Sequence, residues 1–204
     1  MSAAEINRTL DEAVAALRAG EIVAFPTETF YGLAVDPESP AALERLIAAK
    51  GREPDKPIAL IAPDSAAAFA LFREVPPAAR RLAERFWPGP LTLVMPARAG
   101  LHPALIGEYG VGVRVSPHAV ASALARGFGR SITATSANLA GRPATTDAAE
   151  VRRTFNAKLK VLLEYTEPPR HTAPSTVVTL VGDTIKVLRE GALELATLRA
   201  ALNG

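Results

Sequence analysis

Lys50, Arg52 and Lys56 place three cations within seven positions, in the stretch Lys50-Gly51-Arg52-Glu53-Pro54-Asp55-Lys56-Pro57. One glycine and two prolines stiffen it. Such a cluster suits a polyanion such as a triphosphate, because lysine acts as a compact charge and arginine can hold phosphate oxygens in a fork. The dipole of a preceding helix also favours a basic last turn, which accounts for Lys50 better than for Arg52 or Lys56. The Gly-x-x-x-x-Gly-Lys-Ser/Thr pattern of a P-loop is absent.

Two further polar stretches follow apolar runs. Pro26-Thr27-Glu28-Thr29-Phe30-Tyr31-Gly32-Leu33 crowds hydroxyls and a carboxylate at a strand exit, where backbone groups become free to meet a ligand. A turn capped by its own Thr and Glu side chains would have the same composition. Thr133-Ala134-Thr135-Ser136-Ala137-Asn138 runs into Gly141-Arg142-Pro143. Small hydroxyl and amide residues there permit close backbone approach and both donate and accept, as nucleotide binding needs, although an ordinary Ser/Asn turn reads alike. Arg114 and Arg189 are single cations at strand ends, and Ser175 opens a strand after a proline-rich loop. No Gly-x-Ser-x-Gly elbow and no paired acids stand out. Cations beside neutral donors favour chemistry on phosphates, where positioning and charge stabilisation dominate.

These residues need a scaffold, and the hydrophobic pattern supplies one. Leu10, Val14, Ala15 and Leu17 predict a helix over Ala3–Ala19 that Gly20 ends. Ile22–Phe25 is a buried strand stopped by Pro26. Ser39-Pro40 opens a helix as N-cap and first residue, closed by Gly51, and Ser116-Pro117 repeats that signal before a helix reaching Arg126. Further strands are expected over Ile58–Ala62, Leu91–Pro96, Val111–Val115 and Ser131–Thr135. Further helices are expected over Asp64–Phe72, Pro76–Phe86, Asp147–Phe155 and Glu194–Leu202. Thr176–Val181 and Thr184–Leu188 flank Gly182-Asp183 as a hairpin. Strands alternating with helices give an α/β fold, and the hairpin makes its sheet mixed. The irregular stretches Ala97–Gly110, Asn138–Thr146 and Tyr165–Pro174 read as surface loops, the usual place for ligands in such sheets.

At 204 residues, 49% of them hydrophobic, the chain is expected to form a single domain over residues 1–204. Its formal charge of +2 does not by itself indicate nucleic acid. With no cysteine and only His102, His118 and His171, neither disulfides nor a thiolate or histidine metal centre is expected. Charged residues interrupt Met1–Gly20, so it does not read as a signal peptide, and no run approaches the ~18 apolar residues of a membrane span. A cytoplasmic protein without a membrane partner is the expectation.

Taken in order, the motifs resemble the YrdC/TsaC family from about Gly20 to Gly191. Besides the stretches above, the resemblance rests on Trp87-Pro88-Gly89-Pro90-Leu91-Thr92, Val113-Arg114-Val115, Pro174-Ser175-Thr176-Val177-Val178 and Arg189-Glu190-Gly191. It implies a twisted open mixed sheet flanked by helices, with a positively charged concave face. It also implies a nucleotidyltransferase: L-threonine, bicarbonate or CO2, and ATP would give threonylcarbamoyl-AMP and pyrophosphate, for threonylcarbamoyladenosine in tRNA beside the anticodon. By the same resemblance Lys50, Arg52, Ser136 and Asn138 are the signature catalytic and nucleotide-binding residues, with Lys56, Ala144 and Arg189 also on the ATP side. Thr27, Arg114 and Ser175 would hold threonine, with backbone contacts from Ala134. ATP enters as a substrate, with Mg2+ carried on its phosphates rather than in a carboxylate cage. The partners implied are a downstream threonylcarbamoyl transferase complex and RNA. Two alternatives compete: a module that binds double-stranded RNA by shape without catalysis, and a carbamoyl-transfer domain of the hydrogenase-maturation type. The second is disfavoured because those proteins are much longer and carry cysteine-rich zinc segments.

Overall fold

The computed structural model describes residues 3–51, 56–164, 171 and 173–203. Arg52 and most of the Tyr165–Pro174 loop lie outside the described residues. Helix α1 spans Ala3–Arg18, and Gly20 ends it with a positive φ of 74°. The strands that follow are β1 (Val23–Phe25) and β2 (Gly32–Ala34), then helix α2 (Pro40–Lys50) and strand β3 (Leu60–Ile61). Helices α3 (Ser65–Phe69) and α4 (Pro77–Phe86) precede β4 (Leu91–Met95), β5 (Ile106–Gly107) and β6 (Gly110–Arg114). Helix α5 (Ala119–Phe128) leads to β7 (Ile132–Thr133) and β8 (Thr135–Ser136), and α6 (Ala148–Phe155) to β9 (Val161–Leu162). The hairpin β10 (Thr176–Val181) and β11 (Thr184–Arg189) and helix α7 (Leu195–Asn203) complete the order.

Among the described residues the strands make two mixed sheets rather than one. A four-stranded sheet runs β8-β2-β1-β9, and a seven-stranded sheet runs β11-β10-β4-β6-β3-β7 with β5 beside β6. The expected strand over Ser131–Thr135 is divided between them: β7 pairs with β3, and two residues later β8 pairs with β2. Only Ala134 separates the two, so the chain changes sheets at that residue.

Strand periodicity explains how the segment Ile22–Phe25 serves two cores. Successive side chains of a strand point to opposite faces. Ile22 and Ala24 join a large core with Leu33, Leu43, Leu46, Leu82, Leu91 and Val113. Val23 and Phe25 join a second core with Ala34, Ile61 and the facing sides of α1 and α5. The face of α1 that packs there is Ala13, Val14, Ala16 and Leu17. Ala15, assigned to the apolar stripe from sequence, is exposed. No helix among the described residues is long and apolar enough to cross a membrane.

Local signals set most helix ends. The Ser39 hydroxyl accepts from Ala42 N at 3.3 Å, Pro40 is the first helical residue, and Gly51 closes α2 in a left-handed conformation with φ 59°. The Ser116-Pro117 signal does not cap α5. His118 does so, its Nδ1 accepting from Val120 N at 3.2 Å. Ser116 instead turns its hydroxyl to Glu28, a partner 88 positions away. A buried carboxylate without donors is far more costly than a cap supplied by another residue.

Gly110 starts β6 at φ 113°, and a Cβ there would sit 1.9 Å from the carbonyl oxygen of Met95. Both the backbone conformation and the neighbouring main chain exclude a side chain. Gly110→Ala should lose about 2 kcal/mol or more of unfolding free energy, read as a lowered urea midpoint with an unchanged m-value.

Candidate active site

A cavity of about 780 Å³ is lined by residues of both sheets, large enough for a nucleotide-sized ligand. The four-stranded sheet contributes the Thr27–Gly32 turn and Ser136. The seven-stranded sheet contributes Thr92, Arg114 and Arg189 with the Gly107–Gly110 turn. Thr27, Ala134, Ala144 and Ser175 also line it. Of the residues singled out from sequence, seven therefore meet in one cavity: Thr27, Arg114, Ala134, Ser136, Ala144, Ser175 and Arg189.

Thr27 is buried and folds its turn on itself. Its Oγ1 donates to Phe30 O at 2.7 Å and accepts from Thr29 N at 3.2 Å. The turn is held from outside as well, since Tyr31 N donates to Thr145 O and Ala137 N donates to Tyr31 O. Ala134 N donates to Ala59 O at 2.8 Å, so a backbone contact from Ala134 to a ligand falls to its carbonyl.

Arg114 ends β6 and is buried. Its guanidinium donates to Oε1 of Glu28, and Oε2 of Glu28 accepts from the Ser116 hydroxyl at 2.5 Å. Burial, and after it the charge of Arg189, lower the Arg114 pKa to about 10. At neutral pH the guanidinium is therefore charged. Arg189, exposed at the end of β11, is also lowered, by partial desolvation of its guanidinium. Its Nη2 donates to Ser175 O at 2.9 Å and to Ser175 Oγ at 3.0 Å, and the same hydroxyl bonds Thr92 Oγ1 at 2.9 Å. Ser175 thus couples Arg189 to β4.

The Trp87-Pro88-Gly89-Pro90 segment fastens these strand ends together. Gly89 N donates to Val115 O, Thr176 N donates to Pro90 O, and Trp87 Nε1 donates to Leu91 O at 2.7 Å.

Lys50 is not among the residues that line the cavity. It is buried at the end of α2, and its ammonium donates to the carbonyls of Ser136 and, at 2.8 Å, of Asn138. Ala140 N returns a bond to Lys50 O. Lys50 therefore fastens the Ser136–Asn138 segment to α2 and sits behind the cavity wall. Asn138 secures the next turn, its Nδ2 donating to Leu139 O and Arg142 O, while its buried Oδ1 has no hydrogen-bond partner among the described residues. Lys56 is exposed beside Pro57, which lines the cavity. Arg52 lies outside the described residues.

Sequence reasoning did not single out Glu28, Thr92 or Tyr109. Glu28 sits inside a quoted motif, and its burial was the missing signal. Tyr109 lines the rim, where the exposed Lys186 ammonium donates to its hydroxyl at 2.5 Å and lies 4.5 Å from its ring centre. Lys186 is raised above its ordinary pKa by that bond first, with a smaller contribution from Glu108. Among the described residues no three metal-ligating side chains converge.

A cavity lined from two mixed sheets, with two guanidiniums in its wall and hydroxyls around them, defines an α/β protein whose site suits a small anionic ligand. A family model described as "Telomere recombination" (Sua5, YciO and YrdC) matches residues 15–191. The threonylcarbamoyl-AMP synthase of Thiobacillus denitrificans is 40% identical over 174 residues, covering 85% of this chain and 90% of that protein. The synthase of Pyrococcus abyssi is 37% identical over 188 residues, 91% of this chain but 55% of that protein, so the chain spans about half the length of this relative. The crystal structure of P. abyssi Sua5 complexed with L-threonine superposes with a TM-score of 0.88 at 35% identity, covering 94% of this chain and 56% of that one. The chain belongs to the Sua5/YciO/YrdC family.

Proposed function

We propose that this chain, residues 1–204 acting as one unit in the cytoplasm, forms threonylcarbamoyl-AMP and pyrophosphate from L-threonine, bicarbonate or CO2, and ATP. The threonine amine captures CO2 as a carbamate, and a carbamate oxygen attacks the α-phosphorus while pyrophosphate leaves. The product serves threonylcarbamoyl transfer to tRNA beside the anticodon by a downstream complex. The observation that carries this reading is the pair of buried Arg114 and exposed Arg189 in the lining of one hydroxyl-rich cavity that Ser136 also lines.

In this reading Arg114 holds the threonine carboxylate, with Thr27 and Ser175 placing its hydroxyl and amine and Ala134 contributing its carbonyl. A guanidinium fork fits a carboxylate in two parallel bonds. Ser136, Asn138 and Ala144 border the nucleotide, and Lys50, Arg52 and Lys56 balance its phosphate charge. Arg189 stands on the nucleotide side of Ser175. Positioned cations stabilise charge that develops on phosphate oxygens as the bond to pyrophosphate breaks. Mg2+ travels on the triphosphate.

Support for the threonine site comes also from the relative solved with L-threonine. Incubation with ATP and bicarbonate should release pyrophosphate only when L-threonine is present. Release independent of threonine, or none, would overturn the reading.

A further inference from the structure

Glu28 is among the least exposed charged side chains, at 1%. It stands on the β1–β2 turn, yet both of its oxygens reach the end of β6: Oε1 takes the Arg114 guanidinium and Oε2 takes the Ser116 hydroxyl. Its backbone is held as well, since Glu28 O accepts from His171 N at 3.1 Å. A carboxylate placed so deeply is retained only if its neighbours neutralise it.

Arg114 has a second charged neighbour. Arg189 repels it from across the cavity, and two guanidiniums lining one small space tend to move apart. Glu28 opposes that repulsion, and Ser116 keeps the carboxylate from rotating away. The exposed rim charges Glu108 and Lys186 attract each other and lie in water. Glu28 and Arg114 are buried, whereas Arg189 is exposed and lines the same cavity.

We infer that Glu28 is a positioning residue for the substrate carboxylate: it fixes the Arg114 guanidinium in the cavity wall so that the fork can meet the carboxylate of an amino acid. This role rests on the L-threonine reading above. Glu28 touches neither the reacting amine nor the phosphate, so it acts through Arg114 alone. Its removal weakens recognition of the carboxylate and leaves the rest of the ligand's contacts in place.

Calorimetric titration with L-threonine and with L-threoninamide, in which a neutral amide replaces the carboxylate, separates the outcomes. Glu28→Gln keeps the length and an acceptor but removes the charge, and should weaken L-threonine at least tenfold while threoninamide changes less than twofold. Ser116→Ala, which leaves the ion pair in place, should weaken L-threonine about threefold with threoninamide unchanged, and serves if the Gln variant fails to fold. Glu28→Asp retains the charge and should recover part of the loss. Equal losses for both ligands, or L-threonine binding unchanged in both variants, would overturn the role of Glu28 while leaving the function intact. No L-threonine binding by the unsubstituted protein would overturn the reading and this role together.

Discussion

Arg114→Ala is expected to raise the KM for L-threonine on the order of a hundredfold while the KM for ATP stays within about threefold. Breaking a buried ion pair by removing one partner costs about 3–5 kcal/mol, and each ~1.4 kcal/mol corresponds to a factor of ten in binding. Part of that cost falls on the fold, because among the described residues Glu28 would keep only the Ser116 hydroxyl as a partner for its carboxylate. The remainder appears as lost carboxylate recognition. Arg114→Lys should recover little, since an ammonium cannot bond Glu28 and a substrate carboxylate through one planar fork. Steady-state pyrophosphate release with each substrate varied in turn checks the split. Equal losses for threonine and ATP would remove Arg114 from the threonine site.

Lys50→Ala is expected to lower kcat by a factor of about a hundred to a thousand with L-threonine binding nearly unchanged. Two effects combine. The carbonyls of Ser136 and Asn138 lose a buried charged donor, and the proposed nucleotide wall loses the bonds that fasten it to α2. A positive charge behind the phosphates is lost as well. Lys50→Arg should not restore activity, because the side chain is only 3% exposed and a larger planar fork would have to displace the Ser136–Asn138 main chain. Single-turnover formation of AMP-linked product, set beside L-threonine titration, distinguishes this pattern from general unfolding, which would weaken both.

Lys50 also illustrates a limit of reading motifs. From the sequence it is a cation near other cations, and phosphate binding follows from type and spacing. In the fold its ammonium bonds two backbone carbonyls 86 and 88 positions away. Both roles use the same charge, but only the second depends on how α2 meets β8. Ser116 is a similar case. Followed by proline it has the form of a helix cap, yet the hydroxyl serves Glu28 and the cap passes to His118. Local propensity was overridden there by the larger cost of an unpartnered carboxylate.

Elements with strong local signals were legible. Helix α2, with Ser39, Pro40 and Gly51 at its ends, and the β10–β11 hairpin around Gly182-Asp183 follow from short-range chemistry that the tertiary fold did not oppose. Strands β2, β5 and β9 were not recognised: each is two or three residues long and too short to show an alternation. The sequence by itself determined the α/β class, the order of most elements and which polar stretches carry the chemistry, because hydrophobic periodicity, caps and charge clusters are properties of neighbours in the chain. The division into two sheets at Ala134, the closing of Glu28 onto Arg114 and the meeting of seven candidate residues in one cavity were decided by tertiary structure alone. These depend on contacts between groups many tens of residues apart, and the energy of a buried charge is set by what surrounds it.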